Sequence, residues 1–220
     1  MTESHEKLRV RLQESFSPSY LTLISILQSM LLGYLAAEFN NNIDSIYDIG
    51  NEVFIRAITS LLVIIVTWNE YRMGATQFVW FPKTTDTIVP FGVAIAEFFV
   101  IRYSFEPSNS WFYSMSFFYF TSFVGFYHMY FRAERLTINK ESLNKDILDV
   151  IGTGVEIDKA ACIAYLIVTL LFGFSISKYD LSETIQIIMS LTTLVLLVIF
   201  MIHSERQWQR IIRFSKQREE

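Results

Sequence analysis

The sequence predicts an all-α integral membrane protein of six transmembrane helices. Both termini are expected in the cytoplasm, with short amphipathic helices on that side. Three observations predict this. First, 52% of the 220 residues are hydrophobic and 16% aromatic, mean hydropathy is +0.34, and charged residues make up 18%. Soluble domains carry about 25% charged residues, and twenty Phe with eleven Tyr are more than one soluble core of this size takes. Second, the apolar residues gather in blocks near the ~20 residues that cross a bilayer. Third, the basic residues alternate from one connection to the next.

The six blocks are 19–38, 54–70, 88–102, 111–130, 160–176 and 185–203. With these spans, fifteen Lys and Arg fall in one set of alternate connections and two, Arg102 and Lys178, in the other; Arg56 lies inside a span. Basic residues mark cytoplasmic connections, so the N-terminus, two connections and the tail are assigned to the cytoplasm. A missed or invented helix would scramble the alternation. We expect one polytopic domain over 1–220, with 1–18 as a cytoplasmic N-terminus, 19–203 as the bundle and 204–220 as the tail. The location expected is a plasma membrane of the bacterial inner-membrane type.

Span one follows a mixed polar stretch and is too long for the apolar region of a signal peptide, so we expect it to be retained. Ser25, Ser29, Gly33 and Ala37 recur four apart along it. Such a stripe of small residues lets another helix approach closely. Packing within the chain and contact between copies are both open. Homo-oligomerisation is expected, on the ground that six short helices enclose little space alone. Gln28 lies beside the stripe and can hydrogen-bond across it.

Spans two and three each carry one buried charge, Arg56 and Glu97. A charge at that depth is expensive unless it is paired or neutralised. Counting residues puts Glu97 about six residues, roughly 9 Å, below the outer surface and Arg56 only a few residues below it, so that a long arginine pointing inward could reach Glu97. The expectation is an ion pair locking the two helices, or an ion or proton site. The third possibility is a neutral Glu97 that donates a hydrogen bond.

The connection 68–91 gathers Asn69, Glu70, Arg72 and Asp86, and His128 of span four falls at similar depth. These five are candidates for a cytoplasmic mouth that would attract cations. Thr85 or Asp86 is an expected N-cap, and Pro90 is placed in the first turns of span three. Phe78, Val79, Trp80 and Phe81 are too apolar for a free loop; an interfacial belt or a re-entrant element are both open. Span four is aromatic on every face.

Between spans four and five, Leu143, Ile147 and Ile151 form one stripe of an expected short helix, stopped at Gly152 or Gly154. In the tail, Arg206, Arg210 and Arg213 occupy one face, and Trp208, Ile211 and Ile212 another. This suits an anionic membrane surface. The loop 131–159 and the tail are the candidate contacts for a cytoplasmic protein partner.

The chain has three His, one Cys, no H-E-x-x-H, no G-x-x-x-x-G-K-[ST], no nucleophile elbow and no T-V-G-Y-G filter. No enzyme activity, metal, cofactor or nucleic-acid partner is expected. The lone Cys162 excludes an intrachain disulfide. The function expected is a small channel-like or ion-conducting protein. The rival is a non-conducting membrane subunit that senses or recruits a cytoplasmic partner in a multi-protein system. An intramembrane enzyme of unrecognised type comes third.

Overall fold

Long apolar segments in this chain fold as helices, because a helix satisfies every internal backbone N–H and C=O without water. The computed structural model describes residues 2–43, 51–77, 84–106, 108–137 and 145–216, and among these it holds six helices and no strand. They are α1 (Thr2–Asn41), α2 (Asn51–Gln77), α3 (Thr84–Tyr103), α4 (Ser108–Thr137), α5 (Lys145–Lys178) and α6 (Glu183–Lys216). Five contain a segment long and apolar enough to cross a membrane: Pro18–Asn41, Glu52–Ala75, Thr84–Tyr103, Gly152–Lys178 and Glu183–Arg213. At 1.5 Å per residue, α3 is roughly 30 Å long, one bilayer core, and α6 roughly 50 Å. These features are compatible with a multi-pass membrane protein.

The helices run up and down and close into a ring, in the order α1, α2, α6, α5, α4, α3 and back to α1, with a smaller α2–α3 contact across it. Inside lie Ile24, Val63, Val100, Trp111, Phe112, Met115 and Leu197, each at most 1% exposed. Outside is a belt of Met30, Ile95, Phe120, Leu171, Phe174, Ile188 and Ile199, each more than half exposed. Apolar surface on that scale needs an apolar surrounding or a partner. Conversely, the interior is rich in polar groups, among them Gln28, Thr59, Ser60, Ser116, Thr169 and Thr193. Several hydroxyls are tied locally: Ser116 Oγ donates to the Phe112 carbonyl and shares a 2.8 Å bond with Thr169 Oγ1. Gly173 gives the Tyr113 ring its room, since a Cβ there would meet the ring at 3.0 Å.

Two local expectations are corrected. Residues 145–159 are not a separate short helix. They run unbroken into span five as α5, and neither Gly152 nor Gly154 stops it. A glycine inside a helix costs about 1 kcal/mol, which close packing offsets here: a Cβ on Gly154 would meet the Gln207 side chain of α6. The tail continues α6 to Lys216, as its sequence predicts. Finally, α3 begins at Thr84, so Thr85 and Asp86 lie in its first turn and Pro90 beyond it, where the ring removes the bond to the Asp86 carbonyl. The segment 78–81 and Leu143 lie outside the described residues.

Candidate functional site

Helix α2 carries the polar spine of the bundle. Arg56, Ser60, Val63, Thr67, Glu70 and Gly74 alternate four and three apart. That spacing keeps one face of a helix turned to its neighbours. All the others are polar or glycine; Val63, 1% exposed, is the one apolar member and divides the spine in two.

On one side of Val63 lies an ionic cluster. Arg56 Nη2 is 3.4 Å from Glu52 Oε1, one turn away on α2, and Arg56 Nη1 donates to the Glu106 carbonyl at 2.7 Å. Ser190 of α6 donates to the same Glu52 oxygen at 3.4 Å. Ser60 and Ser104 share a 2.6 Å hydroxyl bond, and Ser104 donates on to the Val100 carbonyl. Arg56 is therefore not the partner of Glu97, contrary to the expectation from residue counting. Its partner Glu52 stands at the same level, and its side chain is 8% exposed.

Glu97 lies on the other side of Val63 and is fully buried. It faces protein. Gln28 of α1 donates its Nε2 to Glu97 Oε2 at 2.9 Å, and Thr67 of α2 stands beside the same carboxyl. Glu97 Oε1 and Gln28 Oε1 are buried without a hydrogen-bond partner.

Thr67 also faces a cavity of about 80 Å³ on the ring axis, lined by residues of all six helices. A water needs about 10–15 Å³ measured this way, so the cavity has room for several. Its wall is largely apolar, with Val66, Val93, Phe118, Phe126 and Leu197, and its polar groups converge from different helices: Thr67 and Glu70, Asp86, Tyr119 and His128. His128 Nε2 lies 2.9 Å from Asp86 Oδ1 and ties α4 to α3. The Tyr119 hydroxyl is buried without a hydrogen-bond partner. Below Glu70 a second space of about 30 Å³ continues toward the basic end, bordered by Glu70, Asp158, Ser204, Gln207, Trp208 and Ile211. Ser204 donates to Glu70 Oε1, and His203 Nε2 is 4.0 Å from Asp158 Oδ1.

Of the five mouth candidates, the structure brings Glu70, Asp86 and His128 together on the cavity wall. It leaves Asn69 and Arg72 outside, where the Arg72 guanidinium donates to Asn69 Oδ1 at 2.9 Å and covers the Trp68 ring. The packing stripe Ser25, Ser29, Gly33 and Ala37 is exposed along its whole length, with nothing within 4 Å of a Cβ on Gly33. In the tail, Arg206, Arg210 and Arg213 are exposed as expected of one face. Trp208 and Ile211 are half-buried and turn toward the space beside Asp158, not toward lipid.

Sequence reading passed over Glu52, Thr67, Tyr119 and Ser204. The signal for Thr67 was present, as polar residues of span two repeating every three to four positions, but it was hidden in a segment read for its apolar content; Glu52 continues that spacing one turn before the span. Tyr119 and Ser204 carried no such signal. No group of three or more His, Cys, Asp or Glu side chains suited to a metal ion occurs among the described residues. No protein-family model, no curated protein and no solved structure matches this chain.

Proposed function

We propose that this chain is a small ion-conducting membrane protein whose path runs along the ring axis beside α2. The observation that carries the reading is the central cavity. All six helices line it, and Thr67 joins it to the buried Glu97 carboxyl. Glu70, Asp86, Glu97 and Asp158 put four carboxyl groups on this side of Val63. His128 pairs with Asp86, and His203 stands near Asp158. Such a lining favours protons or small cations over anions. Val63 sits in the apolar cluster with Ala96, Val100, Trp111 and Phe112, and it serves as the closed point between the two polar halves.

The orientation follows the basic residues, with the acid-lined cavity toward the cytoplasm. Helix α4 completes six crossings. It is 30 residues long and packs between α3 and α5, and its Tyr, Trp and Ser residues lower its hydropathy without shortening it. A single copy already encloses the cavity, so enclosure no longer argues for an oligomer. The exposed Ser25–Gly33–Ala37 face remains the argument for one.

The test is flux into vesicles holding the purified chain, read for protons and for Na⁺ and K⁺ separately. Val63→Ser should raise the flux several-fold by wetting the closed point, and Glu70→Gln should lower it. If neither the native chain nor Val63→Ser exceeds empty vesicles, conduction is wrong, and the chain is a non-conducting subunit of a larger assembly.

A further inference from the structure

We propose that Glu97 and Gln28 form a proton-binding site, a cyclic acid–amide pair that holds one proton between α3 and α1. The Gln28 amide N–H donates to Glu97 Oε2 at 2.9 Å. That bond uses one half of each group. The other halves, Glu97 Oε1 and Gln28 Oε1, are both buried and both lack a partner. Two acceptors cannot satisfy one another. One proton on Glu97 Oε1 turns that oxygen into a donor, which can bond the amide carbonyl and close the ring. A single proton thus removes two orphaned acceptors and one buried charge.

The surroundings favour the neutral acid. Glu97 is 0% and Gln28 7% exposed. An ionised carboxylate there would keep its charge against one amide N–H and one hydroxyl, at a cost of several kcal/mol. The arginines of α2 and α3 are engaged elsewhere: Arg56 with Glu52 and the Glu106 carbonyl, Arg102 with Glu38 and Glu106, and Arg72 with Asn69. The groups that face this region from the packed helices are Gln28 and Tyr20 of α1, Thr67, Glu70 and Tyr71 of α2, and Tyr119 and His128 of α4, the last on Asp86 of α3. None brings a free cation to Glu97. The site deepens the conduction reading by naming the proton as the ion; it rests on that reading for transport but not for binding.

The test is infrared difference spectroscopy of the purified protein near neutral pH in H₂O and D₂O. We expect the isotope-sensitive carbonyl stretch of a buried carboxylic acid, lost in Glu97→Gln. Gln28→Leu should move that band to higher frequency, because the amide N–H no longer pulls on the acid carbonyl. Glu97→Gln can rebuild the ring as an amide–amide pair, so it should fold as the native chain does and serve as the blank. A native spectrum unchanged by Glu97→Gln overturns the proposal. So does a band that appears only when Na⁺ is replaced by a large organic cation, since the two oxygens would then be holding a metal cation. A Glu97 band with no proton flux into vesicles supports the site and defeats conduction.

Discussion

Arg56→Met tests the ionic cluster on the far side of Val63. The guanidinium is 3% exposed and has two partners, Glu52 at 3.4 Å and the Glu106 carbonyl at 2.7 Å. Removing it leaves the Glu52 carboxylate with the Ser190 hydroxyl and strips the Glu106 carbonyl of its donor. Stranding one member of a buried pair typically costs about 3–5 kcal/mol. Glu52→Gln strands Arg56 in the same way. The double variant removes both charges, and replacing a buried pair whole is often neutral. It should therefore recover at least half of either single loss, a coupling on the order of 2–3 kcal/mol. The assay is reversible unfolding in mixed detergent, followed through all four corners of the cycle. A second cycle pairs Arg56→Met with Glu97→Gln. Thr67, beside Glu97, is eleven residues from Arg56 on α2, roughly 16 Å along the axis. At that separation the effects of the two substitutions, whatever the size of the second, should add within about 0.5 kcal/mol. Additivity with Glu52 together with coupling to Glu97 would refute the assignment of partners.

Two further outcomes follow from surfaces. Gly33→Leu has open space around it, so monomer stability should change by less than about 0.5 kcal/mol; if the stripe joins copies, the detergent-solubilised particle should lose mass, and an unchanged particle removes the stripe from any interface. For orientation, a cysteine at Asn42 should label from outside intact cells and one at Lys140 should not; the native Cys162 is 2% exposed and gives little background, and the reverse pattern would invert the topology.

The helices were legible because a bilayer imposes length and apolarity together, and both can be counted from residues. Their ends were less so. Gly152 and Gly154 read as stops on local propensity, yet both lie inside α5, and at Gly154 the Gln207 side chain of α6 packs where a Cβ would stand. A stop signal in sequence is a local preference, and packing between helices outweighs it. The same holds for Trp208 and Ile211. Their separation from the arginines was visible as a face, but whether that face meets lipid or protein depends on where α5 begins, and only the fold supplies that.

Glu97 was legible as a fault in an apolar run, and the cost of its charge followed from energetics alone. Its partner was not. Depth estimated from span ends put Glu97 within reach of Arg56, but Arg56 bonds the Glu106 carbonyl just past the end of α3, and Glu97 lies six residues, roughly 9 Å, before that end. The outer ends of both spans were placed to within about three residues, but a guanidinium near that end reaches outward as readily as inward. Rotation about the axis adds to the difficulty, because Gln28 reaches Glu97 from α1, a helix whose packing within the chain or between copies was left open. The heptad-like spacing of Arg56, Ser60, Thr67 and Glu70 needs no such estimate. It depends only on relative position within one helix, and a polar face inside an apolar segment has to be covered by protein or by water. The search for a site in a chain of this kind therefore starts better from polar periodicity within each span than from pairing charges across spans.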